Sequence, residues 1–268
     1  MKDLQSEAGR RRLDAIVQPG LLCAFDFDGT LAPIVRHPER ARLPVDIMRR
    51  LIALAVHAPV AIITGRSIDD IRTRLGFVPD FIIGNHGLEG IPGGEAQAAE
   101  HRALCAAWRS QLDAAFDGVH FDPGIQIEDK RYSLSVHYRM TSDPERSAEA
   151  LRQLFSRLEP APRLVAGKYV FNLVPEGGTN KGGALEVLMA GCGARSAIYV
   201  GDDVTDEDVF RLRRDDLLSV RIERSARSAA EFYLAQPADI LPLLQDLNAR
   251  LAAKGGTNWV HDATATSA

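Results

Sequence analysis

Leu21-Leu22-Cys23-Ala24-Phe25-Asp26-Phe27-Asp28-Gly29-Thr30-Leu31-Ala32-Pro33 decides how this chain folds. Leu21 to Phe27 is a short apolar run that ends in Asp28-Gly29, the pattern of a buried strand closed by a turn. Downstream, Pro44 to His57 places Met48, Leu51, Ile52 and Ala55 at helical spacing. Val60 to Ile63 is a second buried strand, closed by Thr64-Gly65-Arg66. A helix follows, with Ser67 suited to its N-cap, Asp69 and Asp70 to its first turn, and Gly76 to its stop. Phe81 to Ile83 is a third strand, closed by Gly84-Asn85-His86-Gly87. Strand alternating with helix at this pace predicts a parallel sheet. Upstream, the basic run Arg10-Arg11-Arg12 reads as the solvated face of a leading helix.

After Gly90 the rhythm changes. Gly93 to Phe116 reads as one long Ala-rich helix, with Trp108 among Leu104, Leu112 and Ala115. Gln126 to Tyr138 alternates in polarity towards its end, as a one-side-buried antiparallel strand does. A helix opened by Asp143-Pro144 and a strand from Arg163 to Leu173 complete an α+β block. From Asn180 the first rhythm returns. Gly182 to Met189 reads as a helix, Ser196 to Val200 as a strand, Thr205 to Arg214 as a helix, Ser219 to Ile222 as a strand and Asp239 to Ala253 as a closing helix. The expected division is a core of residues 1–90 plus 175–268, interrupted by an insert of residues 91–174. The small, polar tail from Gly255 reads as unstructured.

Composition narrows the class. The 268 residues are 46% hydrophobic and 25% charged, with 32 Lys and Arg against 36 Asp and Glu. A net charge of −4 gives no general pull towards nucleic acid or an anionic membrane. Cys23, Cys105 and Cys192 form neither a CxxC pair nor a zinc pattern, so no disulfide framework is expected. The charged stretch from Met1 to Arg12 and the short apolar run after it predict neither a secretory leader nor a membrane span. The expected location is the cytoplasm. Nothing in the sequence specifies the oligomeric state.

The chemistry gathers at strand ends. In an open parallel sheet, ligands bind outside the carboxyl ends of the strands. The first strand delivers Asp26, Asp28 and Thr30, the second Thr64, Gly65 and Arg66, and a later one Asp202, Asp203 and Asp206. Lys181 enters just before a helix. Carboxylates in a partly dry cleft repel one another unless a cation sits among them, and all-oxygen ligands select a hard ion, by default Mg²⁺. Such an ion, a lysine and free backbone N–H groups together make a phosphate trap. One carboxylate can then attack phosphorus while a second moves the proton. The run Gly201 to Glu207 also suits a helix N-terminus, with Thr205 as N-cap. Gly177-Gly178-Thr179-Asn180-Lys181-Gly182 lacks the GxxxxGK[ST] spacing of a nucleotide-binding loop.

Asp26 to Ile34 resembles the first motif of the haloacid-dehalogenase-type phosphohydrolases, in the variant of the trehalose-6-phosphate phosphatases. Thr64-Gly65-Arg66 resembles their second motif, Lys181-Gly182 their third and Gly201 to Glu207 their fourth. The resemblance implies an α/β fold, a Rossmann-like doubly wound parallel sheet with an inserted smaller α+β cap domain. It implies a Mg²⁺-dependent phosphatase acting on a sugar phosphate, trehalose 6-phosphate first. The same chemistry on sucrose 6-phosphate or mannosyl-3-phosphoglycerate is the nearest alternative, and a non-catalytic sugar-phosphate sensor a further one.

Asp26 would be the nucleophile and Asp28 the general acid and base, with its backbone carbonyl on the metal. Asp202 would also bind the metal. Thr30 would support the loop, and Thr64, Gly65 and Lys181 would hold phosphate. Asp203 and Asp206 would hold metal-bound waters or orient Lys181. Arg66, His86, Glu128, Lys130, Arg139 and Asn172 would contact the substrate. Asn172 stands where relatives usually carry glutamate, which removes a charge-assisted acceptor.

Overall fold

The computed structural model describes residues 1–118 and 121–255, so only Gly255 of the tail expected to be unstructured falls within the described residues. Two compact units form. The first spans Met1–Pro92 and resumes at Thr179, and the second is Gly93–Gly178. In chain order the first unit begins with β1 (Lys2–Asp3), α1 (Glu7–Ile16), β2 (Leu21–Phe25), α2 (Val45–Ala55), β3 (Val60–Ile63), α3 (Ile68–Leu75) and β4 (Phe81–Ile83). The second contains α4 (Glu95–Gly118), β5 (Gln126–Asp129), β6 (Leu134–His137), α5 (Pro144–Phe155), β7 (Arg163–Gly167) and β8 (Val170–Val174). The first then continues with α6 (Lys181–Gly191), β9 (Ser196–Gly201), α7 (Glu207–Phe210), β10 (Leu217–Ile222), β11 (Phe232–Leu234) and α8 (Ile240–Ala253).

The first unit is built on a parallel sheet in the order β1-β11-β10-β9-β2-β3-β4. Every residue of β2 is buried, because the sheet is covered on both faces. Leu21, Cys23 and Phe25 face a core with Leu51, Leu54, Leu244 and Leu247 from α2 and α8. Leu22 and Ala24 face the opposite core, with Ala184, Leu185 and Leu188 from α6. That is the expected doubly wound arrangement. From β2 the chain steps one way to β3 and β4, then crosses back to β9 and on to β10 and β11. The order therefore reverses between β2 and β9, where such sheets open a crevice at their carboxyl ends.

The smaller unit corrects the strand pattern read from the sequence. Gln126 to Tyr138 is a hairpin of β5 and β6, and Arg163 to Leu173 a hairpin of β7 and β8. Together they make an antiparallel sheet in the order β5-β6-β8-β7. The first turn is held by the Asp129 carboxylate, which accepts from the Arg131 N–H at 2.7 Å. Arg131 and Tyr169, at the two turns, adopt left-handed φ values of 69° and 62°. Leu134, Val136, Phe171 and Leu173 pack one face of the sheet against Trp108 and Leu112 of α4 and Leu151 and Phe155 of α5. The Trp108 indole donates to the Pro160 carbonyl at 2.6 Å.

Three further differences are local. The helix expected from Thr205 to Arg214 is only α7, preceded by a 3-10 turn over Val204–Asp206, and Arg213 sits at a φ of 47°. That 3-10 turn is capped by Asp203 rather than Thr205, in a capping box with Asp206, which is in turn the N-cap of α7. β1 and β11 are too short to show as periodic pattern, yet they pair in parallel at the sheet edge. No described helix is long and apolar enough to cross a membrane.

Candidate active site

Asp26 follows β2 directly, and its N–H donates to the Val200 carbonyl of β9 at 2.9 Å. That bond seats the residue in the crevice between the two strands. Its side chain is buried, and one oxygen lies 2.9 Å from the Lys181 ammonium. Lys181 opens α6, whose N-cap Asn180 accepts from the Gly183 N–H. The lysine is 1% exposed and also donates to Asp206 at 2.7 Å.

Asp206 is fully buried and saturated. Its Oδ1 accepts from Lys181 and from the Tyr199 hydroxyl at 2.6 Å. Its Oδ2 accepts from the backbone N–H groups of Asp202 and Asp203, both at 2.8 Å. Asp202 accepts from the Thr30 hydroxyl at 3.1 Å. Gly29 has a φ of 84°, and a Cβ there would fall 2.1 Å from an Asp202 oxygen. The first loop can lie this close to Asp202 only with glycine at that position.

One oxygen each from Asp26, Asp202 and Asp206 lies within 4.8 Å of the others. Three carboxylates thus face one ammonium. Burial pushes the Asp26 carboxyl well above the usual range; Asp206 and Asp202 add to that, and Lys181 offsets it only in part. Asp202 is pushed up to about 7, first by burial and then by Asp206. Burial pulls Lys181 down, but Asp206 and Asp26 override it and keep it protonated.

The donor set fits a hard divalent cation such as Mg²⁺. Asp26 and Asp202 keep unused lone pairs and would hold it, whereas the hydrogen bonds of Asp206 make it an anchor for Lys181 and the loop. Because the carboxyl of Asp202 is raised, its ionisation costs the cation-free fold stability as pH climbs from about 4 through about 7. Mg²⁺ is therefore expected to raise the melting temperature more at about pH 8 than at about pH 5.5. An equal shift in thermal melts at both values would contradict that arrangement.

The other expected residues take up distinct places. Thr64 is buried, and its hydroxyl accepts from the Arg66 N–H at 3.2 Å. Gly65 lies flat against the His86 ring: a Cβ there would meet the imidazole at 2.3 Å. The His86 N–H donates to the Thr64 carbonyl at 2.9 Å. Asp203 caps the 3-10 turn over Val204–Asp206.

Asp28 turns to Arg66, with two contacts of 2.6 Å. Four of the five Arg66 N–H groups donate to protein acceptors, on Asp28, Asp70 and the Pro38 carbonyl, so its guanidinium braces the site. In the smaller unit, Glu128 lies 3.1 Å from His137 and 3.9 Å from Lys130. Lys130 sits in the hairpin turn, not on a strand. Arg139 lies over the Tyr169 ring at 5.9 Å. Asn172 accepts from the Ser135 hydroxyl at 2.6 Å and donates to the Val165 carbonyl at 3.3 Å.

Three residues escaped the sequence reading. Tyr199 hides in an apolar strand and looks like core, though its hydroxyl reaches Asp206. Glu89 accepts from the Ile68 N–H and the Asn85 side chain, both at 2.8 Å, and so ties the histidine loop to α3. Asp70 reads as a first-turn acid of α3, and its link to Arg66 at 2.8 Å has only the i,i+4 spacing as a signal.

The family profile described as trehalose-phosphatase matches residues 24–237. The chain belongs to the trehalose-phosphatase family. Members and relatives of this family share its sequence to different extents. An uncharacterized glycosyl hydrolase of Mycobacterium tuberculosis is 34% identical over 239 residues, which are 83% of this chain and 18% of that protein. A trehalose-phosphate phosphatase of Mycolicibacterium paratuberculosis is 33% identical over 193 residues, 69% of this chain and 49% of that one. The chain thus spans less than a fifth of the first relative and about half of the second. Among solved structures, Aspergillus fumigatus trehalose-6-phosphate phosphatase is 25% identical. The match covers 93% of this chain and 99% of that one, with a TM-score of 0.62.

Proposed function

We propose that this trehalose-phosphatase family member is a phosphatase that hydrolyses trehalose 6-phosphate to trehalose and phosphate. The observation that carries the reading is the group of buried Asp26, Lys181 and Asp206 with half-buried Asp202 at the reversal point of the sheet. Asp26 attacks phosphorus, and the bond from phosphorus to the sugar oxygen breaks. Asp28 gives that oxygen its proton. In the second half Asp28 takes a proton from water, which attacks phosphorus and releases phosphate and a free Asp26 carboxylate. Lys181, Thr64 and the backbone at Gly65 hold the phosphoryl oxygens. Mg²⁺, when bound, offsets the negative charge that gathers on those oxygens. Asp26, Asp202 and the Asp28 backbone carbonyl would hold it. The three cysteines are free thiols, which supports a cytoplasmic setting.

The smaller unit supplies the sugar contacts in this reading. Pairing places Gln126, Glu128, Ser135, His137 and Asn172 on the sheet face opposite the one covered by α4 and α5. Glu128, Lys130 and Arg139 would grip hydroxyls there. One observation favours a second reading, another glycosyl phosphate. Asn172 is neutral, and both ends of its amide already bond within the sheet.

Phosphate release from trehalose 6-phosphate, sucrose 6-phosphate, mannosyl-3-phosphoglycerate and an aryl phosphate decides between the readings. Trehalose 6-phosphate is expected to have the highest kcat/KM, and a far better rival would replace it. Removing a charged acceptor costs about 1.5–3 kcal/mol, so Glu128→Ala should lower kcat/KM on the disaccharide by about 10- to 150-fold. The aryl phosphate should be nearly unaffected by Glu128→Ala. Parallel losses on both would remove Glu128 from sugar binding.

A further inference from the structure

We infer that Arg66 is a positioning residue for proton transfer by Asp28, an inference that rests on the function proposed above. Asp28 follows the strand end by only a few residues, beside the bend at Gly29, and its side chain is 40% exposed. A short carboxylate in that setting samples several rotamers. The Arg66 fork removes that freedom: Nε donates to Oδ2 and Nη2 to Oδ1, each at 2.6 Å. Two parallel bonds fix the plane of a carboxylate as well as its distance.

Arg66 is itself braced on every side. Its Nη1 donates to Asp70 at 2.8 Å and its Nη2 to the Pro38 carbonyl at 3.0 Å. Its guanidinium lies 5.6 Å from the centre of the Phe27 ring. Its backbone carbonyl accepts from the Asn85 N–H at 2.8 Å. Asp70 is held in turn by two nitrogens of Arg74, which is 8% exposed and donates onward to the Glu39 and Ala41 carbonyls. An alternating chain of charge, Asp28–Arg66–Asp70–Arg74, thus runs from the site into the loop that follows the first motif. Partly exposed ion pairs add little stability. Control of where one carboxylate points is what this arrangement delivers.

The chemistry needs that control. As the bond from phosphorus to the sugar oxygen breaks and the bond to Asp26 forms, the proton of Asp28 moves to the leaving oxygen. In the second half the Asp28 carboxylate takes a proton from water as the bond from phosphorus to Asp26 breaks. The fork uses one lone pair on each Asp28 oxygen and leaves the others for these transfers.

The test compares leaving groups. An alkoxide leaves only with a proton, whereas p-nitrophenolate leaves without one. The readout is the ratio of kcat on the best sugar phosphate to kcat on p-nitrophenyl phosphate. Arg66→Gln is expected to lower that ratio at least about tenfold, and Arg66→Lys by less. Asp70→Asn, which removes a brace without touching Asp28, should lower it about two- to fivefold and decides the matter if Arg66→Gln does not fold. In an Asp28→Asn background, Arg66→Gln should lower the ratio no further. Equal losses on both substrates, or losses that add to Asp28→Asn, would overturn the positioning role. A wild-type chain that cleaves neither substrate would instead overturn the proposed function, a result of a different kind.

Discussion

Asp26→Asn is expected to lower kcat on any phosphate ester by at least about 10³-fold while leaving the fold intact. The substitution keeps the shape of the side chain and removes the nucleophilic carboxylate. Lys181 keeps its shorter bond to Asp206. The sign of the stability change follows from the site's charge. Burial holds the Asp26 carboxyl well above its usual range, so its ionisation weighs against folding as pH rises. The melting temperature of Asp26→Asn without metal, at about pH 8, should therefore equal or exceed that of the wild type. Turnover within about tenfold of wild type would remove Asp26 as the nucleophile.

Asp206→Ala should have the largest effect on stability. It strips partners from the Lys181 ammonium, the Tyr199 hydroxyl and the backbone N–H groups of Asp202 and Asp203, all at once. Breaking a buried ion pair on one side costs about 3–5 kcal/mol. At about 2–4 °C per kcal/mol for a chain of this size, the melting temperature should fall by about 6–20 °C. Asp206→Asn keeps one carbonyl oxygen and should fall by less. A thermal melt of Asp206→Ala within about 2 °C of wild type would mean that Asp206 does not organise the centre. Activity alone cannot separate these two variants, since both disturb Lys181; the melts can.

The parallel sheet was legible because strands covered on both faces keep unbroken apolar runs, as Leu21–Phe25 and Ser196–Gly201 do. Asp26, Lys181 and the acidic run from Asp202 to Asp206 were legible because each sits where such a strand ends or a helix begins. The hairpins of the smaller unit were not. Their turns place arginine and tyrosine, not glycine or asparagine, in left-handed backbone, so the positions that need that conformation carry no signal of it. The inward aim of Arg66 was hidden for another reason. Its partner Asp28 lies 38 residues away, and only the closing of β2 against β3 brings them together. Tyr199 could not be told from packing, because a hydroxyl inside an apolar strand leaves no periodic trace.

The reversal of strand order has a consequence for the chain during synthesis. β2 sits between β3 and β9, and β9 is translated only after the whole Gly93–Gly178 unit. A growing polypeptide therefore carries an open flank on its middle strand while the inserted segment emerges and folds. The acid that would form the phosphoryl bond is made early, and the amine and carboxylates around it arrive late. Any fragment that stops short of Asp206 lacks part of the Asp26, Lys181, Asp202 and Asp206 group.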